Sequence, residues 1–209
     1  CVRVPSVLSE SLARVRARMH AACARVGRDP SSVTLVAVTK GMAVERIREA
    51  VALGLADLGE NRVQEAREKI AALSVPTARW HLIGHLQRNK VKQAVDLFQV
   101  IQSVDSLPLA EAISRMSTQT LDVFLQVNVS GETTKYGCTP DEVFALATQV
   151  TQLPHLRLRG LMTMAPFGNE PEQARPHFRR LRELRDELLS HLSPRTSPLA
   201  LSMGMSGWL

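Results

Sequence analysis

Short β-like runs alternate along this chain with amphipathic helical stretches, and almost no sequence intervenes between them. This alternation constrains the fold more than any single residue does, because a strand–helix–strand order demands parallel strands joined by crossover helices. The apolar runs predict strands at Val33–Thr39, Ala56–Gly59, Arg79–Gly84, Leu97–Ser103, Asp122–Val129, Leu156–Thr163 and Leu199–Met203. Helical spacing predicts helices at Ala43–Leu53, Arg62–Leu73, Gln87–Val95, Leu107–Met116, Pro140–Gln152 and Pro171–Leu192. An additional helix precedes the first strand, over Ser6 to Arg28, with Gly27 and Pro30 as its stop. No linker, repeat or low-complexity tract interrupts this order, so residues 1–209 are expected to form a single domain.

Strand parity separates the two parallel architectures. In Asp122–Val129, residues Val123, Leu125, Val127 and Val129 share one face, while Phe124, Gln126 and Asn128 share the other. A doubly wound sheet is covered by helices on both faces, and both faces should then be apolar. A face carrying Gln and Asn fits the inner rim of a barrel better. Arg157 and Arg159 likewise share a face opposite Leu156 and Leu158. No GxGxxG or GxxxxGK[ST] motif supports a nucleotide-binding sheet. The expected fold is therefore a (β/α)8 TIM barrel with an extra N-terminal helix, its last βα unit missing from the sequence.

Composition narrows the function classes. Hydrophobic residues make up 44% of the 209 and charged residues 22%, as in a globular domain with a sizeable core. No apolar stretch is long enough to span a bilayer and no signal-peptide pattern is evident, so a cytoplasmic protein is expected. The three cysteines, Cys1, Cys23 and Cys138, lack metal-ligand spacing and read as reduced thiols. The net charge of +6 raises the question of nucleic acid, but the arginines lie beside acids, as in Arg179–Glu187. Aromatic residues are only 4%, too few for a base-stacking platform. The basic field suits a solvated surface that could attract a small phosphorylated molecule.

The chemistry converges on strand ends. Lys40 closes the apolar run Val33–Thr39, and Gly41 follows before a helix. A lysine at the edge of an apolar core is expected to be poorly solvated, which favours the neutral amine that attacks an aldehyde. Asn61, after the second strand, could hydrogen-bond a ligand, orient the lysine or simply cap the next helix. His81 and His85 share a parity and could face the barrel interior, as actors or as hydrogen-bonded core residues. The polar stretch Asn128–Gly137 is a solvated loop or a flap over a ligand. The segment Leu201-Ser202-Met203-Gly204-Met205-Ser206-Gly207 offers hydroxyls and unobstructed backbone N–H groups of the kind that cradle phosphate, or forms a plain Gly/Ser turn.

Taken together, these segments occur in the order of one family. They are Val36-Ala37-Val38-Thr39-Lys40, Gly59-Glu60-Asn61-Arg62-Val63-Gln64-Glu65, Trp80-His81-Leu82-Ile83-Gly84, Leu86-Gln87-Arg88-Asn89-Lys90, Ser103-Val104-Asp105-Ser106, Gln126-Val127-Asn128-Val129-Ser130, Arg159-Gly160-Leu161-Met162 and Leu201–Ser206. The chain resembles the pyridoxal 5′-phosphate (PLP) homeostasis proteins, which have the alanine-racemase-type barrel of the fold-type III PLP proteins. The resemblance implies that Lys40 holds PLP as a Schiff base. Asn61 and His81 would then lie beside the cofactor, and Ser202, Ser206 and Gly207 towards its phosphate. It further implies a monomer that buffers PLP and delivers it to PLP-dependent apo-enzymes, without catalytic turnover, affecting amino- and keto-acid metabolism. The sequence departs from the family pattern at Trp208, where an acid is usual, and at His85, where proline is common. It also lacks the family's final strand with its Arg-Ile-Gly-type segment.

Other classes fit less well. An amino-acid racemase needs acid/base groups on both faces of the substrate carbon, commonly a lysine and a tyrosine. The only tyrosine here is Tyr136, in an expected loop. An aldolase-like barrel would use Lys40 without any cofactor, and a nucleic-acid binder would retain DNA or RNA in a salt-sensitive way.

Overall fold

In the computed structural model, the described residues are 6–132, 135–166, 171–192 and 198–205. The strands are β1 (Ala37–Val38), β2 (Asp57–Glu60), β3 (Arg79–Leu82), β4 (Val100–Val104), β5 (Leu121–Gln126), β6 (Leu156–Ala165) and β7 (Ala200–Met205). The helices are α1 (Val7–Ala24), α2 (Val44–Ala52), α3 (Val63–Leu73), α4 (Val91–Leu97), α5 (Leu107–Met116), α6 (Val143–Val150) and α7 (Arg175–His191). All strand pairs are parallel and their order in the sheet follows the chain, β1 to β7. A doubly wound sheet reverses direction at a switch point. This one never does, and it is the barrel that the strand parity anticipates, with β1 and β7 unpaired to each other among the described residues.

The outward face of the sheet carries the apolar core. Leu58, Leu82, Ile101, Val123, Leu125 and Leu161 are fully enclosed there. Register sets Leu82 beside Ile101, Ile101 beside Val123, and Leu125 beside Leu161, so the core is continuous from strand to strand. The helices close over it with one stripe each, as Leu181, Leu184 and Leu188 do on α7. Each such side chain contributes about 1.5–3 kcal/mol of burial. The other face of α7 is charged, and some of its arginines pair with neighbouring acids: Arg180 with Glu183 and Glu187, and Arg185 with Asp186. The Ser6 hydroxyl caps α1 by accepting from the Ser9 N–H at 3.1 Å, and Leu12 packs with Ala50 and Leu55 in a smaller cluster. None of the described helices is long and apolar enough to cross a membrane.

Two details differ from the sequence expectation. The first strand pairs regularly only at Ala37–Val38 rather than over Val33–Thr39, because it lies at the edge of the described sheet and has a ladder on one side only. Between β5 and β6 the register slips at Arg159, so that Val123 pairs with Leu158 and Phe124 with Gly160. Arg157 and Arg159 still both reach the same inward-facing carboxylate, Asp122, on either side of this bulge. The bulge then places Gly160 and Met162, rather than Leu161, on the inner face. Cys23 and Cys138 are free and buried, and burial pushes the Cys138 thiol up to about 12, which leaves it unreactive.

Gly160 is required by close approach. A Cβ there would lie 1.9 Å from the carbonyl oxygen of Ala200, on the neighbouring strand. Gly160→Ala should therefore destabilise the protein by about 3 kcal/mol through overpacking. Gly27→Ala meets no atom within 4 Å and strains only a positive φ of 63°, a cost of about 1–2 kcal/mol. Urea denaturation of the two variants should rank them in that order, and the reverse ranking would contradict the β6–β7 contact.

Candidate functional site

The inward face of the barrel carries two hydrogen-bonded polar groups among apolar residues such as Val38 and Met162. The first spans four strands. The Ser202 hydroxyl on β7 donates to Oε1 of Gln102 on β4 at 2.5 Å, and Gln102 Nε2 donates to Nδ1 of His81 on β3 at 2.9 Å. Because Nδ1 accepts, the ring proton sits on Nε2, which donates to Asp57 Oδ1 on β2 at 2.8 Å. Burial pushes the His81 pKa below its ordinary value, and the Asp57 carboxylate opposes that shift without overcoming it. His81 is thus a neutral imidazole of defined tautomer. The second group lies at the amino ends of the strands, where buried Asp122 accepts from Arg157 Nε at 2.5 Å and from Arg79, with Arg159 at 3.8 Å. A carboxylate enclosed there needs cationic partners, and three arginines from β3 and β6 supply them.

Lys40 stands at the carboxyl end of β1, on a tight turn. The Met42 N–H donates to the Thr39 carbonyl at 3.0 Å, and Gly41 takes φ of +70°, as the third residue of a type II turn requires. The expectation of a water-poor amine is not met: Lys40 is exposed. The physical reason is the edge position of β1, where Val38, on the inward face, is itself 41% exposed.

Behind this turn, outside the barrel, lies a buried charge cluster. Lys69 on α3 donates to the Thr39 carbonyl at 2.5 Å, to Glu60 Oε1 at 2.6 Å and to Glu65 Oε1 at 2.6 Å. The Thr39 hydroxyl donates to the same Glu60 oxygen at 2.5 Å, and the Gly41 N–H donates to Glu65 Oε1 at 2.5 Å. The bond from Lys69, followed by that from Gly41, holds the Glu65 carboxyl below its usual range.

The remaining predicted residues are distributed unevenly. Asn61 is half-buried directly after β2. It does not serve as the cap of α3, whose first flanking residue is Arg62 and which has no side-chain cap. Gly84 permits this segment to approach, since a Cβ there would fall 2.3 Å from the Asn61 carbonyl oxygen. Ser202 belongs to the interior chain with Gln102 and His81. Ser206 and Gly207 lie outside the described residues. His85 does not share the interior with His81: it lies beyond the end of β3, exposed, and stacks on Tyr136 with centroids 4.0 Å apart. The Asn128 side chain organises its own loop, donating to the Glu132 carbonyl at 2.8 Å and accepting from Ser130 at 3.0 Å. Sequence reasoning missed Asp57, Gln102, Asp122 and Lys69. Lys69 carried a usable signal, a cation on the stripe Val63, Ala66, Leu73 that α3 buries.

The neutral His81 makes stability depend on pH in a definite direction. Its folded pKa lies below the unfolded value, so the unfolded chain binds the extra proton more readily. Stability should fall as pH drops below about 6.5. His81→Gln should flatten that part of the profile in urea titrations between pH 7 and 5. An unchanged slope would show that His81 does not contribute the linkage.

Comparison with known proteins agrees with the fold. The family model for the N-terminal domain of alanine racemase matches residues 11–208. A pyridoxal phosphate homeostasis protein of Pseudomonas aeruginosa is 44% identical over 204 residues, covering 96% of this chain and 86% of the relative. One from Aquifex aeolicus is 42% identical over 200 residues, covering 94% and 87%. The solved structure of PipY from Synechococcus elongatus with PLP bound superposes with a TM-score of 0.77 at 38% identity, covering 92% of this chain and 90% of that one. The chain belongs to the pyridoxal phosphate homeostasis protein family, with the barrel of the alanine racemase N-terminal domain.

Proposed function

We propose that this protein binds PLP at the carboxyl ends of its strands, holds it through the amine of Lys40, and buffers and delivers it. The observation that carries the reading is the position of Lys40: an exposed primary amine on a hydrogen-bonded turn at a barrel strand end. PLP supplies an aldehyde to which such an amine can add. The donor set fits the aldehyde and ring side of that molecule. Lys40 is accessible to a ligand arriving from solvent, and Asn61 follows the adjacent strand. His81, neutral and with both ring nitrogens already engaged, supplies a fixed polar interior rather than a mobile proton. Ser206 and Gly207 remain our candidates for the phosphate side. Ser202 is bonded to Gln102, so its part in phosphate binding would be indirect.

A carrier role suits these residues better than turnover. Racemisation requires a second acid/base group facing the lysine across the substrate. Tyr136 is instead stacked on His85. The homeostasis names of the relatives support the same reading. In this proposal the protein works as a cytoplasmic monomer and its partners are PLP and the apo-enzymes that receive it.

The test is chemical. Protein incubated with PLP, reduced with borohydride and digested should yield one dominant labelled peptide, carrying the label on Lys40. Lys40→Ala should lose that label while keeping its far-UV circular dichroism. A dominant label on another lysine of the parent protein would overturn the assignment.

A further inference from the structure

The turn that carries Lys40 is clamped from behind by charges that the binding role itself does not use. We propose that Lys69, Glu60 and Glu65 are positioning residues for Lys40, holding the backbone on both sides of it. This inference rests on the reading of Lys40 as the residue that takes up PLP.

The argument starts from where the bonds end. Lys69 Nζ has three protons and three acceptors: the Thr39 carbonyl, Glu60 and Glu65. One of these is the backbone of the residue before Lys40. Glu65 in turn accepts from the N–H of Gly41, the residue after it. The Thr39 side chain is tied to Glu60 as well. Both neighbours of Lys40 are therefore anchored to α3 and β2, and Lys40 itself is the corner left free. A buried pair serving stability alone would have no need to end on these two backbone groups.

Burial makes the clamp stiff. Glu60 is fully enclosed and the Lys69 side chain is 7% exposed, so water competes poorly for either partner. Glu60 Oε1 accepts both the Lys69 ammonium and the Thr39 hydroxyl, while its Oε2 has no partner among the described residues. A carboxylate in that state is costly without its cation, which ties Lys69 to one position. Holding a reacting group in one geometry is itself a rate effect, and small displacements by remote changes are felt.

Glu65 is the residue to change, because it lies at the open end of the cluster, with its side chain 29% exposed. Lys69→Met would strip Glu60 of its cation and confuse positioning with unfolding. The rate of PLP labelling at Lys40, trapped with borohydride and quantified by peptide mass spectrometry, is the primary readout. Exposed Lys92 serves as the reference in the same molecule. Glu65→Ala should slow Lys40 labelling by roughly tenfold, the scale of one lost charge-assisted hydrogen bond. Lys92 labelling should stay constant, and amide exchange at Gly41 should accelerate. Glu65→Gln keeps an oxygen for the Gly41 N–H and should recover most of the rate. Equal Lys40 rates in the parent and Glu65→Ala would overturn the inference, as would a loss shared by Lys92. A parent protein that shows no label on Lys40 would overturn the binding reading, and this inference with it.

Discussion

A curled parallel sheet organises this molecule: it packs a continuous apolar core on its outer face and gathers hydrogen-bonded polar groups from several strands on its inner face. A strand offers only two faces, and successive residues must alternate between them. The outward face meets helices and can bury Leu58, Leu82, Ile101, Leu125 and Leu161 without a polar atom to satisfy. The inward face curves around an interior lined in part by polar side chains. Polar groups placed there must find partners on other strands, as His81, Gln102 and Ser202 do across the barrel.

That division gives each region a different task. The floor around Asp122 joins β3, β5 and β6 by charge, and its guanidinium groups remain partly solvated. The middle layer is neutral and hydrogen-bonded in one direction, from Ser202 through Gln102 and His81 to Asp57. The rim carries the amine. A charge cluster on the outer side of the sheet then reaches the rim through the backbone of Thr39 and Gly41. In the proposed role, the residue that takes up PLP is held by groups on the far side of the sheet. The same pattern underlies preorganised sites in general, where supporting bonds restrict the residue that acts.

Much of the architecture was legible from periodicity. Every strand and helix predicted from hydrophobic spacing is present, with boundaries adjusted by a few residues, because each buries one face, most of them on the main core and α1 on the smaller cluster around Leu12. The parity of Asp122–Val129 was enough to separate a barrel from a doubly wound sheet. The site was less legible. Lys40 and His81 stood out by strand context and motif, and Asn61 by its place after β2. Asp57, Gln102 and Lys69 did not, since a single polar residue in an apolar run has no signature until its partner on another strand is known. His85 was misplaced because parity was extended past the point where β3 ends.

The sequence alone determined the order of elements, their parallel arrangement and the sheet face that carries the main core, and it singled out Lys40 as the candidate to meet an aldehyde. Those properties follow from local periodicity and side-chain chemistry, which do not require distant contacts. Only the tertiary structure decided that Lys40 is exposed, that His81 is held neutral between Asp57 and Gln102, and that Lys69 anchors the turn from behind. Each depends on groups brought together from separate strands and helices, whose register and burial no local pattern encodes.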